Sequence, residues 1–240
     1  MFIFVIILFL FCINLYGQAR QEFWSKITVN QKISKCWTIG GDVQYRSQAN
    51  PNSQIRQPFA EDLLYGIRLT TFYQVSEQYK VYFVFSPFLY FRSSEFTTSG
   101  SRKEIHEYRF TLGILQKTEI KGIKISNRGL YEMRFLHLFS PYTTQQHRVR
   151  WQLQAIVPLF SISSDRNKEW RVNYMVFNEI FAAKPIESTF QIDQNRFCNA
   201  LQLSYKFIEL NTGLQKTIQK VKPIYQWRNQ WYFSALFSLN

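Results

Sequence analysis

The sequence has 240 residues, 46% hydrophobic and 18% aromatic, enough for one sizeable domain. Nine Gly and seven Pro exclude long low-complexity linkers. Lys and Arg number 29 against 16 Asp and Glu, a formal net charge of +13, yet no run of five basic residues occurs, which excludes a basic tail or arm.

The opening segment, MFIFVIILFLFCINLYG, carries no charge and is continuously apolar from Phe2 to Ile13. That is the length of a secretory h-region and short of the roughly 17–25 residues of a spanning helix. Gly17 supplies a small residue before Gln18, so residues 1–17 read as a signal peptide and 18–240 as the mature domain; a retained anchor helix is the alternative. Phe11 stands where a lipid-attachment motif needs a small residue, so Cys12 is not read as lipidated. Cleavage leaves Cys36 and Cys198, which allow one disulfide but no framework. There is no zinc-type spacing, and no cofactor is implied.

From Phe23 onward the apolar residues recur with period two. The runs are Phe23 to Ile33, Trp37 to Ser47, Asp62 to Tyr73, Lys80 to Phe91, Glu104 to Thr118, Ile123 to Leu136, Arg148 to Phe160, Trp170 to Ala182, Asn195 to Phe207, Glu209 to Thr217 and Gln226 to Leu239. Most run ten to fifteen residues. Strands of soluble domains cluster near five or six, whereas a tilted strand needs about nine to eleven to cross a bilayer. Connections at Ser34–Lys35, Ser76–Gln78, Lys121–Gly122 and near Phe207 are tight, while those after Ser47, Arg92, Leu138 and Ala183 are longer and polar. The pattern predicts an all-β protein, a single antiparallel up-and-down transmembrane β-barrel of 10 to 12 strands. Antiparallel neighbours with both termini on one side would require an even count, ten or twelve, although eleven runs are visible. Pro87, in a run apolar on both faces, marks a bulge or strand end.

Parity separates two faces. In the second run Thr38, Gly40, Asp42, Gln44 and Arg46 oppose Trp37, Ile39, Gly41, Val43 and Tyr45. In the seventh, Arg148, Arg150, Gln152 and Gln154 oppose Val149, Trp151, Leu153, Ala155 and Val157. The apolar face repeatedly ends in Tyr, Trp or Phe, as an interfacial girdle would, and is predicted to face lipid. Arginine and aromatics lie on opposite faces, whereas a nucleic-acid stacking platform needs both on one, so no nucleic-acid partner is expected.

Trp24 followed by KISKCWTIGGDVQYR, then EYRF at Glu107–Phe110, SNRGLYEMRF at Ser126–Phe135, HRVRWQLQAIVPL from His147, NEIF at Asn178–Phe181 and DQNRF at Asp193–Phe197 together resemble a family. It is the uncharacterised outer-membrane barrels of Bacteroidota known as domain of unknown function 2490. The resemblance covers nearly the whole mature length. It implies location in the outer membrane of a Gram-negative bacterium, with outer-membrane lipid, lipopolysaccharide and the barrel-assembly machinery as partners, and it implies no reaction.

The polar face holds one constellation: Asp42, Arg46, Arg68, Glu107, Arg109, Arg128, Glu132, Arg134, Arg148, Arg150, Arg171, Glu179 and Arg196. In a narrow barrel such groups pair across adjacent strands and have a structural role. The excess of Arg also suits a constriction favouring small anionic solutes. A lipid-modifying enzyme would need a nucleophile beside a histidine, and His106, His137, His147 and Ser126 are the residues on offer. An assembly partner without transport is the third class.

Overall fold

A computed structural model of the chain describes residues 20–49, 57–96, 102–138, 143–163, 169–184, 190–221 and 224–239. The segment read as a signal peptide lies outside the described residues. The strands are β1 (Arg20–Lys32), β2 (Trp37–Gln48), β3 (Glu61–Gln74), β4 (Tyr79–Phe96), β5 (Arg102–Ile120), β6 (Ile123–Leu138), β7 (Thr143–Ser163), β8 (Glu169–Lys184), β9 (Gln191–Tyr205), β10 (Ile208–Val221) and β11 (Ile224–Leu239). Each expected run forms one strand. Most extend past their expected ends because the hairpins β4–β5 and β6–β7 stay paired where loops were expected, so of the four longer connections only the one after β2 is long.

The strands close into a single barrel, each paired with its chain neighbours, and β1 closes on β11. This closure corrects the even-count argument. Ten successive antiparallel hairpins leave β1 and β11 pointing the same way, and the two pair in parallel from Arg20 with Arg228 to Gln31 with Leu239. A parallel ladder satisfies backbone N–H and C=O groups as an antiparallel one does, so an odd count still abolishes the sheet edge. The barrel is therefore mixed rather than wholly antiparallel. β1 enters at the rim opposite the tight turns, and β11 ends at the turn rim.

Local chemistry sets the register. Lys121 and Gly122 both have positive φ, 51° and 80°, the geometry of a two-residue hairpin whose twist matches its strands. At Pro87 the pairing of β4 jumps from Ser86–Arg109 to Leu89–Glu107. This is the expected bulge: proline cannot donate to the ladder, and the shift turns Leu89 inward and leaves Phe88 exposed.

The distribution of side chains is inverted relative to a water-soluble domain. Among the described residues twenty buried side chains are polar or charged and thirteen are hydrophobic, while large hydrophobic residues stand exposed on every strand but β10, whose Leu210, Leu214 and Ile218 are half-exposed. Ile39, Val43, Leu69, Leu112, Ile114 and Leu153 belong to this outer belt. Aromatic pairs bound it. Trp37–Tyr73 and Trp170–Tyr205 sit near the turn rim, at 4.9 and 4.3 Å between ring centroids. Near the other rim Tyr45, Tyr65, Tyr90 and His106 form a continuous row over β2 to β5. Eight residues from Trp37 to Tyr45 span about 26 Å along a strand, or about 20 Å along the axis at a tilt of about 40°.

Candidate functional site

The inward parity of the strands brings most of the expected ionic residues together. Three carboxylates on β5, β6 and β8 act as nodes, and all three are almost wholly buried. Glu107 of β5 accepts from Arg109 at 2.6 Å and from Arg134 of β6 at 2.6 Å. Glu132 of β6 accepts from Arg148 at 2.5 Å and Arg150 at 2.7 Å, both on β7, with Arg109 at 3.5 Å. Glu179 of β8 accepts from Arg150 at 2.5 Å and Arg128 at 3.1 Å, with Arg196 of β9 at 3.8 Å. Arg109 and Arg150 each bridge two nodes, so the lattice is continuous from β5 to β9. Asp42 pairs separately with Arg68 through three hydrogen bonds of 2.9 to 3.1 Å.

Arg46 joins a part of the site that lay hidden in the sequence. It donates to the wholly buried Glu22 of β1 at 2.5 Å, and Glu22 also faces Arg228 of β11 at 3.4 Å, so an ion-pair cluster spans the parallel seam. Glu22 and Arg228 follow the same inward parity as their neighbours; Glu22 stands one residue before the apolar alternation that starts at Phe23. Arg171 is the exception among the expected residues. It has the inward parity but sits at the turn rim, 61% exposed, and among the described residues its salt bridge is to Glu169, two residues earlier on the same strand. The rim is open to water there, so Arg171 is not part of the interior network.

Phe181 is the other residue the parity pattern alone did not single out. It is fully buried, and the guanidinium groups of Arg196, Arg150 and Arg148 lie 4.4, 4.7 and 5.1 Å from its ring centre. Cation–π attraction lets three like charges share one neighbour at closer quarters than bare repulsion allows. Arginine and aromatic residues are therefore not fully segregated by face, as Arg196 also lies 5.9 Å from the ring of Trp24.

Together these groups line a cavity of about 480 Å³ inside the barrel. Its wall includes Lys26 and nine arginines, against which stand six interior carboxylates, Glu22, Asp42, Glu107, Glu132, Glu179 and Asp193. Four positive charges are in excess among the described residues. Met175, Phe177 and Tyr232 form an apolar wall on one side and pack with Cys198 and Ala200. Tyr82 is buried inside the barrel near the turn-rim end of β4. Its ring lies 5.4 Å from Phe72, which lines a second cavity of about 150 Å³ with Lys32, Lys35 and Lys80. Gly113 makes room for it: a Cβ there would stand 2.5 Å from Tyr82 and 2.6 Å from Leu130.

The histidines are on the outer face. His106 and His137 are register partners of β5 and β6, and Tyr131 bonds to His147 Nδ1 at 2.7 Å. Ser126 has the opposite parity and pairs with Lys117 near the turn rim, so it is not placed beside any of them. Cys36 is exposed and Cys198 buried, both as free thiols, which excludes the disulfide the sequence allowed.

The family model described as "Protein of unknown function (DUF2490)" matches residues 21–223, from the first strand to the last hairpin. The chain belongs to this family. The DUF2490 match spans all the ionic nodes except Arg228, whose strand lies beyond it. No curated protein matches the chain. Among solved structures, LpxR from Salmonella typhimurium is similar at a TM-score of 0.50 and 5% identity, covering 84% of this chain and 83% of that one. At that identity the likeness concerns the fold alone.

Proposed function

We propose that this DUF2490 protein is an outer-membrane β-barrel of a Gram-negative envelope whose cationic interior favours small anionic solutes. The observation that carries the reading is the inversion of its surfaces. A contiguous apolar belt around the whole barrel has no place in water, where exposed patches rarely exceed a few hundred Å². A closed β-barrel is one of the two folds that satisfy every backbone group within hydrocarbon. The aromatic rows and their separation of about 20 Å suit the apolar band of about 25 Å in such barrels. Outer-membrane lipid and lipopolysaccharide would then surround the belt, and the barrel-assembly machinery would insert it.

The positive excess around the chamber supports anion preference, since a low-dielectric wall focuses the field of fixed charges on the lumen. In planar lipid bilayers the purified protein is expected to conduct in small steps, with a reversal potential under a salt gradient that reports anion preference. Absence of conductance at every voltage would remove the transport reading and leave an envelope structural role or a partner in assembly. A lipid-directed enzyme draws less support, because the one serine considered for it lies on the inner face, away from the histidines.

Sidedness has an internal reporter. Cys36 is exposed in the β1–β2 turn, and tight turns of such barrels face the periplasm. A membrane-impermeant maleimide added to intact cells should leave Cys36 unlabelled and label it once the outer membrane is permeabilised. Equal labelling before and after would reverse the orientation.

A further inference from the structure

We infer that the chamber holds a binding site for a phosphate group, centred on Lys26. The inference rests on the reading of the interior as anion-favouring and names the ligand class. Lys26 lies at mid-length of β1 and its side chain lines the cavity. It is half-buried, and among the described residues it has neither a carboxylate nor a hydrogen-bond acceptor within bonding distance. Its electrostatic neighbours are Arg68, Asp42, Arg128 and Glu179. Both carboxylates are already engaged, Asp42 by Arg68 and Glu179 by Arg150 and Arg128, and neither forms an ion pair with the ammonium. A cation left without a partner in a confined interior is costly unless an anion joins it.

Two further groups around Lys26 ask for an acceptor rather than a donor. Trp24, two residues away on the same face, has a buried indole N–H with no hydrogen-bond partner, and Arg128 Nε is likewise unsatisfied. Arg128 is also the most exposed arginine of the network, at 33%, so its guanidinium borders the free volume. Ammonium and guanidinium groups around one space suit a multiply charged oxyanion, which gains charge-assisted hydrogen bonds from both, with the buried Trp24 and Arg128 N–H groups lying just behind them. The cavity of about 480 Å³ exceeds what a bare phosphate needs, and the apolar wall of Met175, Phe177 and Tyr232 would face the organic part of a phosphorylated small molecule.

The test is calorimetric titration of the full-length barrel in detergent with inorganic phosphate, phenyl phosphate and acetate. Phosphate is expected to bind, and acetate at least about ten-fold more weakly, the worth of a charge-assisted bond. Lys26→Met should weaken phosphate binding about ten-fold or more while the barrel keeps its folded gel mobility, and Lys26→Arg should retain it. Tighter binding of phenyl phosphate than of inorganic phosphate would identify an organic phosphate as the ligand; equal binding would identify the free ion. No phosphate binding up to about 10 mM, or a Lys26→Met protein that binds as the native one does, overturns the site. The two readings fail separately: conductance without phosphate binding removes the site alone, and phosphate binding without conductance removes the pore alone.

Discussion

Glu132→Gln is expected to destabilise the barrel by about 3–5 kcal/mol, the cost of leaving a buried charge without its partner. Glu132 is 1% exposed and accepts from Arg148, Arg150 and Arg109. Arg150 keeps Glu179 and Arg109 keeps Glu107 when the charge is removed, but Glu132 is the carboxylate to which Arg148 is bonded. The variant therefore strands one guanidinium among the other arginines around Phe181. Urea unfolding in detergent, followed by gel mobility and tryptophan fluorescence, would measure the loss. A second change, Arg148→Met, should recover most of it, because removing both partners leaves no orphan charge. Glu169→Gln is the control: its pair with Arg171 is exposed at the rim and screened by water, and its loss should leave stability unchanged. Native-like stability of Glu132→Gln would mean that the lattice does not hold the barrel together.

Leu153→Arg should cost about 2–4 kcal/mol when the protein is inserted in lipid, the penalty for a cation on the lipid face near mid-bilayer. Leu153 lies near the middle of β7, 45% exposed on the outer belt. Its neighbour Gln152 points the other way, is 8% exposed, and has Arg128 as its register partner on β6. Gln152→Glu places a carboxylate between that arginine and Glu179, its register partner on β8, in an interior with surplus positive charge, and should cost less than a charge at Leu153. Leu153→Glu carries the same charge outward and should be destabilising, by less than the Arg variant. Unfolding in lipid vesicles compares the three. If Leu153→Glu and Gln152→Glu were tolerated alike, the two faces of β7 would not be chemically distinct.

The alternation that separates Leu153 from Gln152 is a local property. A side chain's face depends only on its parity along an extended strand, so period-two runs were enough to place the runs that become strands, most of their inward ionic residues and the bulge at Pro87, though not the odd count that closes the barrel. Tight turns such as Lys121–Gly122 were legible for the same reason, since two residues of positive φ suffice to reverse the chain. Closure was not legible. Whether β1 meets β11 in parallel is decided by tilt and register accumulated around the whole sheet, and no local signal records that sum. The same is true of who pairs with whom: Glu22 and Arg228 stand at opposite ends of the chain and meet only across the seam. Height along the axis separates Arg171 from the arginines whose parity it shares, because burial depends on distance from the rim. That Lys26 forms no ion pair among the described residues likewise shows only in three dimensions. The sequence alone determined that there would be a cationic inner face, and the folded barrel decided which of those cations find carboxylates, because pairing is a matter of position across the lumen.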